Sequence, residues 1–190
     1  MTSRWWRWAA GAMLLLLLAT RQALEARMSL HMLVQVPLLI ACGAVLAAGT
    51  PRSLRERVGR WNSHGIAGLF AFALVTALLM IPRLLDLAVA DAAVDAAKAL
   101  ALLACGALLR LSWASAGPLV QAFFLGNVLP MTAAVGQAYQ DSPLRLCNAY
   151  LLDDQVRVGQ ALVTVAALLA LAWLARMAMV LVRREGGTGL

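Results

Sequence analysis

Apolar residues gather into six long runs, at about 5–23, 28–49, 64–85, 95–114, 117–138 and 157–182, separated by short polar connections. The hydrocarbon core of a bilayer is about 30 Å thick and takes roughly 20 apolar helical residues to cross. The pattern therefore predicts an all-α polytopic membrane protein, with about six transmembrane helices in one bundle. Residues 1–190 form a single integral-membrane helical domain, since little chain is left for any extramembrane unit. The first run opens with Arg4, Trp5, Trp6, Arg7 and Trp8. A basic start before an apolar stretch is also the shape of a signal peptide. No clear small-x-small cleavage site precedes Arg21, and tryptophans suit an interfacial anchor, so we read a retained helix.

Breaks within the runs carry further expectations. Pro37 and Pro130 each remove a backbone donor and are expected to bend their helices. Asn127 is costly against lipid and is expected to face the bundle in an interhelical hydrogen bond. Asp153 and Asp154 precede the last run, where acidic residues complement the helix dipole and cap free amides. Gly159 should allow a close helix approach.

Composition agrees with the pattern, at 63% hydrophobic and 13% charged residues. The mean hydropathy is +0.81. A net charge of +7 would suit nucleic acid if it were concentrated in a soluble domain, but its distribution is topological. One set of connections holds nine arginines (Arg4, Arg7, Arg52, Arg55, Arg57, Arg60, Arg110, Arg183 and Arg184) against Glu56 and Glu185. The other set is slightly acidic, with Glu25, Asp86, Asp91, Asp95, Asp141, Asp153 and Asp154. By the positive-inside rule both termini are cytoplasmic, and the basic side attracts anionic lipid headgroups. Membrane lipid is thus an expected partner and nucleic acid is not.

The topology sorts the chemically useful residues by side. Met28, His31, Met32 and Gln35 fall in the first two turns of the second run, at its outer end. Met80, Arg83 and Asp86 end the third run, and Cys147, Asn148, Asp154 and Gln155 follow the fifth. Thioether, imidazole and thiol are the ligands that select copper, especially the reduced ion. Met28, His31, Met32, Met80, Met131 and Cys147 therefore form a candidate outer copper set, beside the outer-face polar residues Asp86, Asp154 and Gln155. Packing is the competing account of the methionines, and a hydrogen bond that of the histidine. Cys42 and Cys105 read as small packing residues. His64 falls on the inner side, which disfavours bis-histidine haem within one subunit. Arg83 with Asp86, and Lys98 with Asp91 and Asp95, read as solvated ion pairs at the membrane edge. No Walker loop, GxSxG elbow or HExxH is present, and no enzymatic active site is expected.

His31-Met32-Leu33, followed by Pro37-Leu38-Leu39 and Gly43, resembles the histidine-bearing helix of the CtaG-type (caa3-type) cytochrome c oxidase assembly factors. Asp154-Gln155 with Gly159 is similar to the Asp-Gln and glycine motif that opens a late helix in that family. The resemblance spans the second to the sixth run. It implies a protein of the bacterial inner membrane that assists biogenesis of, or copper delivery to, a respiratory cytochrome c oxidase, with oxidase subunits as partners and His31 as the leading ligand, helped by Met28, Met32 or Cys147. Family members are usually longer and richer in histidine; here Gln35 stands one turn after His31. The rival readings are a small permease subunit using Asn127, Gln121 and Asp86, and a haem-bearing electron-transfer subunit.

Overall fold

The structure is a computed structural model that describes residues 3–186, all of whose regular elements are helices. The first pair is α1 (Ser3–Ala19) and the short α2 (Arg21–Glu25). A continuous span follows, made of α3 (Met28–Leu30), a π turn (His31–Gln35) and α4 (Val36–Ala48). Next come α5 (Arg52–Trp61), α6 (Ile66–Leu79), α7 (Pro82–Ala90), α8 (Ala92–Trp113), α9 (Pro118–Asp141) and α10 (Leu152–Gly186). Four helices are long and apolar enough to cross a membrane: Met28–Ala48, Ala92–Trp113, Pro118–Asp141 and Leu152–Arg183. A fifth is added if α5 and α6, bent by 83° at their junction, count as one span. Among the described residues the chain is thus all-helical, with about four helices able to span a membrane.

Two of the six predicted runs are shorter in the structure than in the sequence pattern. The run at 5–23 breaks at Thr20, leaving α1 with 17 residues, roughly 25 Å at the rise of an α-helix. The run at 64–85 breaks at Met80–Ile81, and Pro82 starts α7. Proline is suited to a first helical turn and unsuited to the interior, so the chain turns there instead of continuing. The expected loop after Arg83 is therefore itself helical.

The centre of the bundle is the α4–α8 pair, which run parallel. α1 packs on α4, α6 on α8 and α9, α10 on α9, and α10 returns to touch α3. Glycine sets two of these crossings. A Cβ on Gly43 would lie 2.0 Å from the Leu103 carbonyl oxygen, and one on Gly106 would lie 1.8 Å from that of Ile40. On the other pair, a Cβ on Gly136 would lie 2.7 Å from the Gly159 carbonyl oxygen, and one on Gly159 would lie 2.5 Å from that of Gly136. Small residues let backbones meet where lipid supplies no hydrophobic drive, so van der Waals contact holds the pairs. The close approach expected of Gly159 is present.

Asn127 departs from expectation. It is exposed, and its amide donates to the Phe123 carbonyl of its own helix at 2.6 Å. That carbonyl lies four residues back, so the side chain is satisfied locally and needs no neighbouring helix.

Candidate functional site

The site lies where the acidic connections meet, at the end of the bundle formed by the starts of α3, α8 and α10. Pro37 shapes it first. A proline has no N–H, and its ring crowds the carbonyl four residues earlier. The helix answers by widening into the π turn over His31–Gln35, closed by a bond from the Val36 N–H to the His31 carbonyl. Such single π turns insert a residue and re-aim side chains. Here His31 and Gln35 are both buried.

Their neighbours come from α2 and α8. The Lys98 ammonium donates to Asp95 Oδ1 at 2.8 Å, to Glu25 Oε1 at 3.0 Å and to His31 Nε2 at 2.9 Å. An ammonium has three N–H donors and no acceptor. All three are used. His31 Nε2 must therefore be the bare nitrogen, and the ring proton sits on Nδ1, which donates to the Tyr150 hydroxyl oxygen at 2.5 Å. Arg21 closes the far side with a 2.8 Å contact to Asp95 Oδ2. Gln35 Nε2 donates to Glu25 Oε1 at 3.1 Å, while Gln35 Oε1 is buried without a partner. Two carboxylates balance two cations, so the network is neutral with a neutral histidine. An isolated buried charge is very costly, whereas a paired and hydrogen-bonded set is tolerated.

Sequence reasoning placed Lys98, Asp91 and Asp95 at a solvated edge. Instead Asp95 and Lys98 are buried, and Asp91 caps α8, accepting from the Ala93 and Val94 amides. Arg83 does not pair with Asp86. Glu25, Arg21 and Tyr150 were missed as site residues, whereas Gln35 was placed beside His31. The available signal was Asp95 and Lys98 three apart on one helix face, at the start of an apolar run.

Against this network lies a softer cluster. Met28, Met32 and Cys147 are buried together with Leu85, Tyr139, Tyr150, Val158 and Leu162. Tyr150 belongs to both groups, its ring in the cluster and its hydroxyl on His31. Met80 and Met131 are half-buried and are not part of the cluster. Among the described residues, no three His, Cys, Asp or Glu side chains are arranged to hold a metal ion. The donor set brought together is two thioethers and a thiol. His31 has no free nitrogen, and one of its partners is a cation. A metal at His31 would have to displace Lys98 or Tyr150.

The polar residues expected at the outer mouth fasten the loop that covers it. Asp86 accepts from the Asn148 and Ala149 amides at 2.9 and 3.1 Å. Asp154 Oδ2 accepts from the Ser29 amide at 3.0 Å, capping the start of a different helix from its own. Gln155 accepts from the Leu146 amide at 2.8 Å and donates to the Tyr139 carbonyl at 3.1 Å. These bonds hold Cys147 and Tyr150 inside. Burial, and then the Asp86 carboxylate, push the Cys147 thiol up to about 11. Burial, and then Glu25, push the Tyr150 hydroxyl up as well. Cys147 is therefore a protonated thiol at neutral pH.

No protein-family model, curated protein or solved structure matches the chain. The geometry alone carries the functional reading. His64, at the other end of the bundle, is exposed and bonded to Ser63. Gln121 donates to the Trp113 and Ala116 carbonyls, Asp86 holds the covering loop, and Asn127 bonds its own helix. Those residues do not gather around a common path.

Proposed function

We propose that this chain is a membrane-embedded assembly factor for a respiratory haem–copper oxidase, with copper(I) as cargo at its acidic end. One observation carries the reading. Two methionines from the start of one span and a cysteine over a hundred residues later lie in one buried cluster. Thioether and thiolate donors suit copper(I) over harder cations. His31 acts here through its proton on Nδ1, positioning Tyr150 against the soft donors. In the same reading α1 completes six spans, the acidic end faces outward from a bacterial inner membrane, and both termini face the cytoplasm. The resemblance to the CtaG-type factors supports this placement.

Copper(I) binding through Cys147 forms an S–Cu bond and releases the thiol proton to solvent. Below the thiol's pKa of about 11, affinity should rise about tenfold per pH unit, because each bound ion displaces one proton. Competition against a chromophoric copper(I) chelator at two pH values measures that slope. In the host, loss of the gene should lower oxidase activity, and the wild-type chain should restore it. The M28L/M32L/C147S variant should not. Full oxidase activity without the gene, or undiminished copper(I) binding by the triple variant, would overturn the proposal.

A further inference from the structure

The opposite end of the bundle holds a second built site. α5 carries Arg52, Arg55, Arg57 and Arg60 against Glu56 alone, and Glu56 is taken by Arg52 at 2.9 Å. No residue of α5 is buried, and two of its apolar side chains stand clear of the bundle, Leu54 50% and Trp61 90% exposed. A basic helix with exposed apolar side chains at the end of a membrane bundle lies in the interface between headgroups and acyl chains.

The junction that sets α5 across the bundle is firmly made. Asn62 is buried; its Nδ2 donates to Ser112 Oγ at 2.8 Å, and its Oδ1 accepts from the Gly68 amide at 3.0 Å. Gly65 takes a left-handed φ of 71°, and a Cβ there would lie 2.4 Å from the Ser112 carbonyl oxygen. The 83° bend is thus tied to α8 at both ends of the turn.

Between α5 and the ends of α4 and α8 this bend leaves a pocket of about 350 Å3. Its walls include Arg55 and Arg110 with Asn62, and Val58, Leu111 and Trp113. Neither arginine has an acidic partner among the described residues, whose ion pairs are made by Arg21, Arg52 and Lys98. Arg55 and Arg110, both exposed residues, thus present two guanidiniums to one pocket whose other walls include Val58, Leu111 and Trp113. Guanidinium forks match phosphate oxygens in bidentate fashion.

We propose that this pocket binds the phosphate head of an anionic phospholipid from the leaflet at the basic end. The apolar walls, and the interfacial position that Leu54 and Trp61 give α5, favour a lipid over a fully hydrated inorganic anion. The site lies a membrane thickness from the copper cluster, so it stands whether or not the copper reading does.

Native mass spectrometry of the full chain in detergent tests it, with phosphatidylglycerol, phosphatidylcholine and inorganic phosphate added separately. Phosphatidylglycerol should give a retained one-lipid adduct, at least tenfold above the other two. R55Q/R110Q should abolish that preference. R57Q/R60Q, which removes the same amount of charge from the same end of the bundle but outside the pocket, should keep it within twofold. Equal retention of phosphatidylcholine, or an adduct with inorganic phosphate alone, would overturn the proposal. So would equal loss in both double variants, which would make the attraction diffuse. The wild-type lipid preference needs no variant and reads out regardless of how the substitutions fold.

Discussion

At the scale of single residues, the network around Lys98 makes the sharpest energetic claim. Its three donors meet three acceptors, and its charge, with that of Arg21, offsets two carboxylates in an apolar setting. Removing one partner of a buried pair typically costs about 3–5 kcal/mol, because the other charge is left uncompensated. Lys98→Met should therefore lower the unfolding midpoint in detergent markedly. Adding Glu25→Gln should recover much of the loss, since Asp95 keeps Arg21 as its partner. A double variant no better than the single one would show that Glu25 and Lys98 are not coupled. The network also explains what sequence reading missed. Glu25, Asp95 and Lys98 sit at the ends of apolar runs, where solvated charges are the ordinary case. Only the folding of α2 over the π turn buries them, and no local pattern records that. That Met28, Met32 and Cys147 gather at one end of the bundle was legible from their places in the apolar pattern. The saturation of both His31 nitrogens was not, because it depends on Tyr150 and Lys98 arriving from distant segments.

At the scale of elements, glycine position separates packing from mere flexibility. Gly43 and Gly106 stand where α4 and α8 touch backbone to backbone, whereas a Cβ on Gly126 would meet nothing within 4 Å. Gly43→Ala must push the two central helices apart, and overpacking of this kind costs typically about 1–3 kcal/mol. Gly126→Ala meets open space and should gain up to about 1 kcal/mol from helix propensity. Opposite shifts in unfolding midpoint for two chemically identical substitutions are expected; equal shifts would refute the crossing geometry. The helical class and the four longest spans were legible, because a long apolar run needs a helix to satisfy its backbone in lipid. The two short segments were not. At Thr20 the apolar run gives way to Arg21 and Gln22; across Met80 hydropathy is continuous, and the chain turns there for backbone reasons, with Pro82 opening α7.

At the scale of the molecule, the two ends differ in both charge and architecture. Every long element runs from one end to the other, so the loop at Ser142–Leu151 and helix α5 lie a bundle length apart. A span of 21 residues measures roughly 31 Å at the rise of an α-helix, which matches the hydrocarbon core. Arginine concentrated at the α5 end should hold that end in the cytoplasm, because basic connections resist translocation. The copper reading depends on this orientation, because copper must arrive from outside; the lipid pocket takes its phosphate from the leaflet that the basic end meets. Leu144 is 73% exposed in the covering loop, and Arg57 is exposed on α5. The native cysteines are buried and contribute little to labelling. A membrane-impermeant maleimide should therefore modify Leu144→Cys in intact spheroplasts and Arg57→Cys only after lysis. The reverse order would place the basic end outside and remove the physical basis for the copper reading. Labelling of both positions in intact cells would mean that α5 and the loop share a side, against the one-bundle arrangement itself.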